Sequence, residues 1–141
     1  MNTQAMALDY IKRAGRCLRE SRDALEDNDY PIAIRRAQEC VELSLKAVLR
    51  CYAVEYPREH EVSDSLEAVG GRFPGWFSSR IGEFIRISRD LGKKRGPAMY
   101  GYEAGLRPAS DIFSKKDAED AFGWAQDVHD SCTRLIHEHM R

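Results

Sequence analysis

Apolar residues recur at three- and four-residue steps along most of this chain, the spacing of helices that turn one face inward. From about 4 to 27 the stripe is Met6, Tyr10 or Ile11, Ala14, Leu18 and Leu25. It stops at Glu26-Asp27-Asn28-Asp29, four poor helix formers. A second helix spans about 30–54, with Pro31 in its first turn, where the missing N–H has no intrahelical partner to lose. Its stripe is wide: Ala33, Ala37, Cys40, Val41, Ser44, Leu45, Val48 and Leu49. Ala33, Ala37, Cys40 and Ser44 are small and predict a neighbouring helix at close approach. A short helix over 63–69 has Ser63 as N-cap, with Leu66 and Val69 inward, and Gly70-Gly71 stops it. After the Pro74-Gly75-Trp76-Phe77 turn, Ile81, Phe84 or Ile85, and Ser88 to Leu91 predict a helix over about 78–93. Residues 94–113, rich in glycine and proline, read as a long loop, and loops of that length in compact domains are often functional. The last helix starts at Ser114, where Ser114 and Asp117 suggest a capping box. Ala118, Ala121, Phe122, Ala125, Val128, Cys132, Leu135 and Ile136 then give a regular helical stripe.

No segment alternates as a strand does. The expected fold is all-α: an antiparallel four-helix up-and-down bundle with an additional short helix. At 141 residues the whole chain, 1–141, reads as a single domain.

The net charge of −1 supplies no global field toward nucleic acid or acidic lipid, so any such binding needs a local patch. The four cysteines, Cys17, Cys40, Cys51 and Cys132, show no C-x-x-C spacing, which argues against zinc. Cys17, Cys40 and Cys132 lie among apolar positions and read as reduced core residues. The N-terminal MNTQAMALDYIKRAGR lacks an apolar signal region, and no apolar run approaches the ~18 residues of a membrane span. The expected location is therefore the cytoplasm, with no membrane partner, no cofactor and no metal.

The stretch AGRCLRESRDALEDNDYPIAIRRAQECVELSLKAVL resembles the first two helices of HEPN domains. That family shows an alanine-rich first helix, a gDY turn and a second helix of the form A-x4-Q-x3-E-x3-K-A. The matches here are Asn28-Asp29-Tyr30, Ala33, Gln38, Glu42 and Lys46-Ala47. Pro57-Arg58-Glu59-His60 is similar to the family's approach to its third helix, and Ala118, Ala121, Ala125 and Val128 match its last. The resemblance implies a HEPN-like bundle that pairs as a homodimer. Many such domains carry R-x4–6-H and are metal-independent endoribonucleases; many act beside a nucleotidyltransferase antitoxin. In one branch the motif is R-x4-H-x-Y and the partner adenylylates the tyrosine.

Here the corresponding stretch, Arg95-Gly96-Pro97-Ala98-Met99-Tyr100-Gly101-Tyr102, aligns as R-x4-Y-x-Y. Tyr100 stands at the motif histidine and Tyr102 at the modifiable tyrosine. An R-x4-Y-G form followed by an acidic residue (Glu103) and a proline (Pro108) resembles a branch often found in archaea. Histidine suits the proton transfers of RNA cleavage because it titrates near pH 6.5. An ordinary tyrosine titrates near 10, so only about one in 10³ is ionised at pH 7. The expectation is a nucleotide- or RNA-binding half of a HEPN–nucleotidyltransferase pair of toxin–antitoxin type, not an efficient nuclease. Lys93, Lys94, Arg95, Tyr100 and Tyr102 would hold the nucleotide or phosphate, and Tyr102 would be the site of modification. Two alternatives stay open: a variant nuclease using Arg95 and Tyr100, and a non-catalytic dimeric scaffold.

Other features carry paired readings. Arg86, Arg89 and Lys93 lie at helical spacing and run into Lys94-Arg95, either as a phosphate-binding strip or as a face paired with Glu83 and Asp90. Lys46 and Arg50 are candidates to join that strip. Gln38, Glu42 and Lys46 share one helix face and read as structural polar groups. His60 reads as a cap or packed polar residue. His137 and His139 fall on opposite sides of a helix and complement its C-terminal dipole.

Overall fold

Asn28, Asp29 and Tyr30 together build the first turn. The computed structural model describes residues 2–57 and 62–141. After helix α1 (Thr3–Glu26), Asn28 adopts the left-handed region at φ 60°, which asparagine tolerates better than most side chains. Asp29 caps α2 (Tyr30–Cys51) by accepting from the Ile32 amide, and the Tyr30 hydroxyl donates to the Asn28 side-chain oxygen at 3.2 Å. Then follow α3 (Ser63–Ala68), a 3-10 turn (Gly70–Arg72), α4 (Gly75–Ser78), α5 (Ile81–Tyr100), α6 (Ala109–Ile112) and α7 (Lys115–His139). The Ser114–Asp117 capping box at the start of α7 forms in both directions.

The four long helices α1, α2, α5 and α7 run up and down, as the sequence predicts. The Ser21 hydroxyl of α1 donates to the Ala33 carbonyl of α2 at 2.7 Å. His129 of α7 lies 3.4 Å from the Ile11 carbonyl of α1. Arg80 and Arg86 of α5 meet Asp127 and Trp124 of α7 in reverse order. Helix α2 is central and packs against the other three. Its small residues Ala33, Ala37, Cys40 and Ser44 are fully buried, as are Ala118, Ala121 and Ala125 of α7, and the Cys40 thiol comes within 3.9 Å of the Ala125 carbonyl. The predicted close approach therefore occurs with both neighbours, α1 and α7.

All four cysteines are free thiols and buried. Burial pushes the Cys40 thiol up to about 12; burial and the Glu39 carboxylate push Cys17 up to about 11. Such thiols stay protonated and react poorly. No helix among the described residues is long and apolar enough to cross a membrane.

Several local expectations need correction. Met6 is exposed and Ala7 takes the buried position, because the stripe of α1 is rotated by one residue at its start. Ser63 is the first residue of α3, not its cap; Val62 precedes it and no side chain caps the helix. Three short helices and a 3-10 turn, where one short helix is expected, connect α2 to α5 and α5 to α7. The largest difference concerns residues 94–100, which are the last turns of α5 and not a loop. Gly92, Gly96 and Pro97 suggest a break, but Leu91 and Ala98 are buried and hold the helix to the core. Pro97 lies inside the helix, where it removes one donor and crowds the carbonyl four residues earlier, and the helix nevertheless continues to Tyr100.

Candidate functional site

The motif occupies the last turns of α5 and the turn that follows. Arg95 and Tyr100, five residues apart on a helix, diverge by about 140° and lie about 7.5 Å apart along its axis. Arg95 continues the side of the helix that buries Leu91 and Ala98, yet it is exposed, because it lies past the packed part of the bundle. Tyr100 shares the outer face with Lys93, seven residues earlier and within about 20° around the axis. Tyr100 is 65% exposed and Tyr102 is 47% exposed. Among the described residues, nothing forms an ion pair with Arg95 or Lys93, and nothing hydrogen-bonds the Tyr100 hydroxyl.

Gly101 ends α5 at φ 69°, ψ −158°, a region that essentially only glycine enters. A Cβ there would collide with the Arg107 carbonyl oxygen. The chain reverses at once: the Tyr102 amide donates to the Arg107 carbonyl at 2.9 Å, and the Arg107 amide returns a bond at 3.0 Å. The Arg107 guanidinium lies 5.9 Å from the centre of the Tyr102 ring. The sequence reading missed Arg107. The spacing of four residues between Tyr102 and Arg107, with Gly105 inside, was a turn signal. The positive φ falls on Leu106 (52°), however, not on the glycine.

The remaining cations divide. Lys94 pairs with Asp90 at 2.9 Å and lies 5.5 Å from the Trp124 ring, so its charge is already engaged. Arg86 lies over the same ring at 5.2 Å. Glu83 pairs with Arg80, not with Arg86, and Arg89 reaches Asp64 at 3.9 Å. Lys46 and Arg50 do not join the strip: both lie over Tyr56, at 5.7 and 4.9 Å, and Lys46 faces Glu42 at 3.9 Å. Gln38 is buried, and its side-chain oxygen has no partner among the described residues. His129 is half-buried against α1, and His139 stacks on Tyr52 with ring centres 4.0 Å apart. His60 lies outside the described residues. Among the described residues no three His, Cys, Asp or Glu side chains gather as a metal site would require.

What this end of the bundle offers is therefore cationic and aromatic: Lys93, Arg95 and Arg107, without carboxylate partners among the described residues, and the exposed rings of Tyr100 and Tyr102. Guanidinium groups bind phosphate and tyrosine rings stack on bases.

A crystal structure of TT1696 from Thermus thermophilus has the same fold, with a TM-score of 0.72, 23% identity and 99% of each chain covered. No curated protein matches the sequence. The HEPN domain matches residues 7–135, nearly the whole bundle, and the chain belongs to the HEPN domain family.

Proposed function

We propose that this HEPN-domain protein is a homodimeric nucleotide- or RNA-binding protein, the binding half of a HEPN–nucleotidyltransferase pair, and not an efficient endoribonuclease. The observation that carries this reading is the exposed group at the end of α5. Arg95 and Tyr100 have no intramolecular partner there among the described residues, and on our alignment Tyr100 takes the place of the family motif's histidine.

Cleavage by a 2′-hydroxyl needs a base and an acid that exchange protons at neutral pH, a contribution of about 10²–10⁴-fold. Arg95 lies about 140° around the helix from Tyr100 and does not hydrogen-bond its hydroxyl. Phosphate binding and base stacking need no proton transfer. Arg95 holds phosphate, Tyr100 and Tyr102 stack on or accept a nucleotide, and Tyr102 is the acceptor if the partner transfers one.

The test is co-expression with the neighbouring nucleotidyltransferase, followed by intact-mass measurement. A stable complex and a gain of one or more nucleotidyl units on Tyr102 or Tyr100, abolished when both are changed to Phe, is the expected result. An unmodified protein that neither forms the complex nor retains nucleotide would overturn the reading.

A further inference from the structure

The turn after α5 adds a cation that the R-x4-Y-x-Y motif does not contain. Gly101 and the left-handed Leu106 permit the reversal, and the paired backbone bonds between Tyr102 and Arg107 fix those two residues side by side. A further bond from the Leu106 amide to the Glu103 carbonyl, at 3.1 Å, closes the turn. Arg107 uses one guanidinium N–H on the Asp111 carbonyl at 3.4 Å. No carboxylate among the described residues pairs with it, so both its charge and its other donors face solvent. Its guanidinium lies 5.9 Å from the centre of the Tyr102 ring, and the ring remains half open.

A planar guanidinium beside a ring can present a two-donor edge to a phosphate, which the point charge of an ammonium cannot match. We propose that Arg107 and Tyr102 form one subsite for a phosphorylated nucleotide, with the base on the open part of the Tyr102 ring and the phosphate on Arg107. This rests on the nucleotide-binding reading above and gives it a second anchor, outside the motif. A free nucleotide and an RNA strand present the same chemistry.

The experiment measures fluorescence anisotropy at low salt with two probes, a fluorescent ATP analogue and a labelled single-stranded oligoadenylate. Wild type is compared with Arg107→Ala, Arg107→Lys, Tyr102→Ala and Arg95→Ala. Each variant is checked for unchanged helicity. Arg107→Ala should weaken at least one probe about tenfold, as loss of one charge-assisted contact does. Arg107→Lys should recover only part of that loss, because the charge stays and the two-donor edge is gone. Binding of the ATP analogue alone, weakened by Arg107→Ala, assigns a free nucleotide. On RNA, Arg107→Ala should also lower the salt slope by about 0.7. If wild type binds and Arg95→Ala weakens it while Arg107→Ala does not, the subsite is wrong and the wider reading stands. If wild type binds neither probe, both fall.

Discussion

The two ends of α5 each carry an arginine beside aromatic rings, and the structure treats them oppositely. At the N-terminal end Arg80 bonds Asp127 through both its terminal nitrogens, reaches Glu83 at 3.0 Å and covers the Phe84 ring at 4.9 Å. The two carboxylates hold its charge more firmly than usual. The rings there form a ladder, Tyr52 to Phe73 to Phe77 to Phe84, with neighbouring centres 4.7, 5.1 and 5.6 Å apart. At the C-terminal end Arg95, Tyr100 and Tyr102 are exposed, and Arg107 stands beside Tyr102 with no carboxylate partner among the described residues. Residue type does not separate the two ends. What separates them is whether each polar group and ring already has its partner within the chain. The first end is bound up in stability; the second is left available to something else.

Changes at the closed end should cost most. Phe77→Ala removes a fully buried ring and should lower the unfolding free energy by about 3–5 kcal/mol, measured by urea denaturation. Raising the pH tests the closed middle of the bundle. The folded Cys40 thiol is pushed up to about 12, while the unfolded thiol ionises near 8.5. Its contribution is fully present below about pH 8.5 and is lost as the pH rises toward 12. From pH 8.5 to 10.5 wild type should lose about 2 kcal/mol more than Cys40→Ala in urea titrations. Arg80→Ala should cost about 1–2 kcal/mol by the same measurement, since it strands Asp127 and bares Phe84. At the open end Tyr100→Ala should change stability by less than about 0.5 kcal/mol. A loss of more than about 1 kcal/mol there would mean that Tyr100 packs, and the contrast between the ends would fail.

The same contrast explains what the sequence could show. Helical stripes, the Asn28–Tyr30 turn and the Ser114–Asp117 cap are local patterns, and their partners lie within a few residues. The small-residue stripe of α2 was legible because four small side chains on one face have few other uses. The length of α5 was not. Gly96 and Pro97 are local breaking signals, overridden by burial of Leu91 and Ala98 against helices far away in sequence. Arg95, Tyr100 and Tyr102 could be singled out from the family motif, but not that Arg95 and Tyr100 diverge around one helix. Arg107 escaped because its position depends on a reversal at Gly101 whose geometry is not written in any spacing. Lys94 looked like part of a phosphate strip until Asp90 and Trp124 engaged it.

Incubating the purified protein with labelled single-stranded RNA separates binding from cleavage. Binding and cleavage are read from the same samples, for wild type and Arg95→Ala. The account predicts that wild type retains the RNA intact and that Arg95→Ala binds it about tenfold more weakly. Cleavage by wild type that disappears in Arg95→Ala would contradict it and make Tyr100 part of a working nuclease.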